Sequence, residues 1–242
     1  YYYGPVRSVL VGSLVAAAFL LVAVRGRPGL EDALLNLGGM VLPVVAFIPT
    51  PVVSGDCLDA SPCVPSGVVP DVEVSISALL LLGLPGLAVA ALAVLARRAG
   101  RSPTPLPSGF VGAVVVWAVV AVWFGPTSDW PLRPSLFDLG HYVAAVVLFA
   151  MIVAVVAINA RRTDRAADVA GRSLSFTMVY VIIAVAMAAV LVAAVLVWWI
   201  GQPAGSSLLF WVEAALLSLF AIFWAVQTVE YWNAGLPEEA CA

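Results

Sequence analysis

The sequence predicts an all-α, polytopic membrane helix bundle: seven transmembrane helices in a single domain over residues 1–242, with the N-terminus outside and the C-terminus inside. Three observations predict it. Hydrophobic residues make up 63% of the 242 and charged residues only 10%, against roughly 45–50% and 25% in a soluble domain. The apolar residues fall in blocks of about twenty, the length a helix needs to cross a bilayer. Nine of the eleven Arg (Arg25, Arg27, Arg97, Arg98, Arg101, Arg161, Arg162, Arg165 and Arg172) lie in three alternate connections, leaving Arg7 and Arg133 on the other side. Cytoplasmic loops carry such an excess of positive charge, which sets the orientation.

The first apolar run, about Pro5–Val24, is closed by Arg25 and Arg27. A Gly26-Arg-Pro-Gly29 turn leads into Glu31 and Asp32, acids that suit a helix N-terminus, and into the second run, about Ala33–Phe47, closed by Ile48-Pro-Thr-Pro51. The polar outer loop 52–72 follows, with Cys57 and Cys63. The third run spans about Val74–Ala96, and Gly83, Pro85 and Gly86 at its centre predict a kink or a broken helix. Pro-rich Ser102–Ser108 connects to the fourth run, about Gly109–Phe124, which ends at Gly125-Pro126. The fifth spans about Leu139–Ala160, the sixth about Leu174–Ile200, and the seventh about Ser206–Trp232, before a short acidic tail. The chain opens Tyr-Tyr-Tyr-Gly-Pro without Met or a basic leader, which reads as a processed or incomplete start.

Composition also excludes functions. With no Lys there is neither a Schiff-base lysine nor a basic surface of nucleic-acid type, so retinal and nucleic acid are not expected partners. One His rules out bis-His haem and multi-His zinc, and no cofactor or metal is expected. The Cys57-x5-Cys63 pair falls on the outer side, where a disulfide persists, and closes a small loop; redox work would want a C-x-x-C spacing. Trp123, Trp130, Trp198, Trp199 and Trp211 gather at the same interface as an aromatic belt. The one internal similarity sets Val44–Thr50 beside Val119–Thr127, both outward-going helix ends.

Glu213 stands out, about six residues and roughly 9 Å inside the seventh run. A carboxylate there needs a partner. On the wheel it shares a stripe with Leu217, Phe220, Trp224, Gln227 and Tyr231, beside a small-residue stripe of Ala214, Ser218, Ala221 and Ala225 suited to close helix packing. The partners available at the outer side are Arg7 and His141. Asp138, three residues before His141, can share its helical face and fix its tautomer. Tyr2 and Tyr3 stand just before Arg7. The expected ligand-binding set is therefore Tyr2, Tyr3, Arg7, Asp138, His141 and Glu213; no catalytic residue is expected. A purely structural tie between Arg7 and Glu213 and a structural His141 are the competing readings.

These residues carry a resemblance. Tyr-Tyr-Tyr-x-Pro-x-Arg-x-x-x-Val-Gly (Tyr1 to Gly12), Glu-Asp-x-x-x-Asn-Leu-x-Gly (Glu31 to Gly39) running to Pro49-Thr50, His-Tyr-Val-x-Ala-x-x-x-Phe (His141 to Phe149) and Phe-Trp-x-Glu with a Phe seven residues on (Phe210 to Phe220) are similar to motifs of a family of bacterial multi-pass integral membrane proteins with no assigned activity. In that family the Tyr run follows another membrane span, which implies that one precedes this chain. The resemblance implies that Arg7, His141 and Glu213 belong to one site. Two spans and the Cys loop separate the His-bearing helix from the Pro-Thr end here, and the family's lysine-rich cytoplasmic end is absent.

The function expected is binding of a membrane lipid or small amphiphile in an outward-facing polar pocket of a bacterial inner or plasma membrane protein. A small secondary transporter, in which Glu213 and His141 exchange protons, and an accessory subunit with protein partners in a larger membrane complex are the alternatives. An envelope-lipid enzyme with His141 and Asp138 or Glu213 as acid and base ranks below them, because no nucleophile stands in a recognisable context.

Overall fold

The computed structural model describes residues 7–23, 29–52, 62–98, 108–170, 175–201 and 208–232. They form α1 (Arg7–Ala23), α2 (Leu30–Phe47), α3 (Val69–Arg98), α4 (Ser108–Phe124), α5 (Arg133–Ala170), α6 (Ser175–Trp199) and α7 (Leu208–Tyr231). Each predicted run is thus a helix. Five of them, α2, α3, α5, α6 and α7, are long and apolar enough to cross a membrane, while α1 and α4 are apolar but 17 residues long. The helices gather into two compact units, Tyr1–Leu148 and Phe149–Ala242, with the boundary inside α5.

In the first unit α2 is the core. It packs against α1, α3 and α4, and α3 also packs on α4. The share of buried residues makes the contrast plain: 56% of the apolar window of α2, and 0% of that of α3. The reason lies in small residues. A Cβ on Gly39 of α2 would stand 2.6 Å from Val22 Cγ2 and 2.8 Å from the Ala18 carbonyl of α1, and one on Gly112 of α4 would stand 2.8 Å from Leu37 of α2. In a lipid solvent such close approach supplies the dispersion contact that drives helix association.

α3 runs unbroken from Val69 through Pro85 to Arg98, so of the kink or broken helix expected at Gly83–Gly86 the break is not found. Its neighbour α4 lies against this turn. Trp117 lies over this turn with its indole Nε1 donating to the Leu80 carbonyl at 3.0 Å, next to the Leu81 carbonyl that Pro85 leaves without its helical donor. Gly83 makes room, since a Cβ there would meet the indole at 2.7 Å.

Both α3 and α5 start earlier than their apolar runs, at Val69 and Arg133 instead of about Val74 and Leu139. Asp71 and Glu73 are therefore helical residues of α3 and not part of the outer loop. The base of that loop is closed by a two-way backbone pairing, Val52 N to Cys63 O at 2.9 Å and Cys63 N to Val52 O at 3.1 Å. Cys63 is disulfide-bonded; Cys57 lies outside the described residues.

In the second unit α6 packs on α7. The buried line of α7 is Leu216 and Phe223, seven residues apart. This corrects the small-residue stripe, for Ser218, Ala221 and Ala225 are exposed, as is Leu217. Large rings form the contact: Tyr180 of α6 is fully buried against Phe223, ring centroids 5.7 Å apart. About two turns further on, Glu230 accepts the Tyr180 hydroxyl at 2.5 Å, so the polar tip of a buried ring is satisfied at the helix end.

Candidate functional site

The C-terminal ends of α2 and α4 stop just before prolines, and that chemistry arranges the residues around them. In α2 the Val45 carbonyl would receive the N–H of residue 49, but Pro49 has none. His141 of α5 fills the place. Its Nδ1 lies 3.1 Å from Val45 O and 2.8 Å from Ile48 O. Carbonyl oxygens only accept, so Nδ1 carries the proton. Gly140 permits the approach, since a Cβ there would stand 2.9 Å from Ile48 Cδ1.

The end of α4 repeats the pattern. Pro126 deprives the Val122 carbonyl of its donor, and Trp130 Nε1 donates to it at 2.8 Å. Gly125 adopts φ +73, the left-handed conformation of a helix C-cap, and the Trp130 ring occupies the space where a Cβ would stand. Arg133 completes the cap: Nε donates to Phe124 O at 2.9 Å, one terminal nitrogen to Gly125 O at 3.2 Å, and the other to Glu73 of α3 at 2.9 Å. Its guanidinium also lies 4.2 Å from the centre of the Phe124 ring. A buried charge held by an acid, two carbonyls and a ring is a structural device.

Arg7 is placed differently. Arg7, on the first turn of α1, pairs with Asp71 of α3 at 2.7 Å, and both side chains keep solvent exposure, 29% and 61%. Beside this pair a groove of about 380 Å³ opens between α1 and α3, lined by Arg7, Ser8, Val11, Gly12, Phe47 and Ser75. Phe47, from the end of α2, is its apolar wall, and Gly12 leaves open space, with no atom within 4 Å of where its Cβ would be.

The expected site residues are placed as follows. Arg7 lines the groove. Asp138 is exposed and makes no polar contact among the described residues, so the expected Asp138–His141 pair gives way to His141 holding backbone carbonyls. His141 is buried, 6% exposed, and is not among the groove's lining residues. Glu213 belongs to α7 in the second unit and is half-buried. Tyr2 and Tyr3 lie outside the described residues. Asp71, Ser8 and Ser75 escaped the sequence reading, as did the Tyr180–Glu230 contact. Among the described residues no three His, Cys, Asp or Glu gather closely enough to hold a metal ion.

No protein-family model, curated protein or solved structure matches this chain. The site has to be interpreted from its own chemistry.

Proposed function

We propose that this chain is a seven-span protein of the bacterial cell membrane, N-terminus outside and C-terminus inside, that binds a lipid or small amphiphile at its outer surface through the α1–α3 groove. The observation that carries the reading is the groove itself: an exposed guanidinium at one edge, hydroxyls on both walls and an apolar wall in Phe47 and Val11. That combination suits a molecule with a polar head and an apolar body. The orientation is supported by the arginine distribution, by exposed Trp198, Trp199 and Trp211, and by the disulfide state of Cys63, which suits an oxidising compartment and a Cys57 partner. The resemblance to the bacterial multi-pass family is a further part of the proposal, and it brings Tyr2 and Tyr3 to the same end of α1.

Gly12→Leu tests it. A leucine at this open position projects into the groove without meeting the packed core, so the variant is expected to fold like the parent but to retain roughly tenfold less lipid after purification, the loss of a contact worth about 1.4 kcal/mol. Lipid extraction and mass spectrometry read the result. Equal retention by parent and variant would remove the groove as the binding place.

A further inference from the structure

The two walls of the groove differ in hydrogen-bonding sense. On α1 the polar groups are the Arg7 guanidinium, which can only donate, and the Ser8 hydroxyl, which is exposed. On α3 they are acceptors. Asp71, beside the groove through its pairing with Arg7, presents a carboxylate that is 61% exposed, and the Ser75 hydroxyl, which lines the groove, spends its hydrogen on the Asp71 carbonyl at 2.7 Å, leaving the oxygen's lone pairs for the groove. A cation and a carboxylate thus meet as an ion pair at the edge of the groove, 2.7 Å apart.

From this we infer that the groove selects a zwitterionic lipid headgroup that joins a phosphate to a primary ammonium, of the phosphatidylethanolamine class; the inference rests on the lipid-binding reading above. The phosphate takes the α1 wall, where Arg7 matches its geometry and the helix N-terminus adds favourable potential. The ammonium takes Asp71 and Ser75. Its three N–H groups have acceptors to meet, whereas a quaternary ammonium has no donor and is recognised by an aromatic cage, of which Phe47 would be a single wall. An anionic headgroup such as phosphatidylglycerol would satisfy Arg7 and leave its diol, without a positive charge, against the carboxylate. The ligand replaces one half of an existing ion pair at each end, so little desolvation is added when it enters. Acyl chains then run down past Val11 and Gly12.

The test uses the full chain in detergent with equal amounts of phosphatidylethanolamine, phosphatidylglycerol and phosphatidylcholine, and native mass spectrometry to count what stays bound. The parent is expected to retain the ethanolamine lipid roughly fivefold over either competitor, the scale of one exposed charge contact. Asp71→Asn should bring the ethanolamine-to-glycerol ratio close to one, and Arg7→Gln should lower retention of all three. Ser75→Ala, which leaves the ion pair intact, should lower the ratio by about twofold and serves if either charge variant aggregates. A parent that prefers phosphatidylglycerol, or a ratio that Asp71→Asn and Ser75→Ala leave unchanged, would overturn the headgroup assignment while lipid binding stands. Retention of none of the three would overturn both.

Discussion

Two corners of the first unit are built from the same residue types and differ in burial. At the α3–α5 corner Arg133 and Glu73 are 11% and 35% exposed, and every nitrogen of the guanidinium has an acceptor. At the α1–α3 corner Arg7 and Asp71 are 29% and 61% exposed and stand at the edge of an open groove. The two carboxylates are only two residues apart on α3. Burial, not residue type, separates the two: in the first corner the guanidinium caps the Phe124 and Gly125 carbonyls at the end of α4, and in the second the charges remain exchangeable with water.

Removing the tie should have the largest effect. Arg133→Ala leaves two helix-end carbonyls and Glu73 without their donor, and is expected to destabilise the first unit by about 3 kcal/mol, read as a lowered thermal unfolding midpoint in detergent. His141→Ala should follow at about 2 kcal/mol, since Val45 and Ile48 lose a buried donor. A second substitution sharpens this point. Pro49→Ala restores the missing N–H, so the double variant should recover part of the loss; strict additivity would show that His141 acts in some other way. Glu73→Gln, which keeps the shape and removes one charge of a partly exposed pair, is expected to cost about 1 kcal/mol. Smallest of all, Arg7→Gln and Asp71→Asn should change stability by under about 0.5 kcal/mol while altering lipid retention. If they destabilise as strongly as Arg133→Ala, the two corners are alike and the distinction fails.

Much of the fold was legible, because crossing a bilayer imposes a length that hydropathy detects directly. All seven helices fall on the seven apolar runs. Helix starts were less legible: Asp71, Glu73 and Arg133 are helical but lie beyond the apolar runs, and hydropathy follows the runs and not the backbone hydrogen bonds. Partner choice depends on azimuth, which a run of Leu, Val and Ala does not encode. Hence Arg7 was matched to Glu213 by depth alone, when its ion-pair partner is Asp71. One signal was available and unused. Pro49 and Pro126 each orphan a carbonyl four residues earlier, and the similarity of Val44–Thr50 to Val119–Thr127 marked both places. Asking which N–H donors could reach those carbonyls leads to His141 and Trp130. The small-residue stripe of α7 misled because large rings, Tyr180 and Phe223, fill the α6–α7 contact instead.

The central claim is that lipid is held at the α1–α3 groove and not merely around the protein. Photo-crosslinking with a phospholipid carrying a photoactivatable group near its headgroup, followed by peptide mapping, tests it most directly. Label concentrated on Ser8, Val11, Gly12, Phe47 and Ser75, and lost in Gly12→Leu, is the expected result. Label spread evenly over the exposed faces of α3, α6 and α7, unchanged by Gly12→Leu, would contradict it.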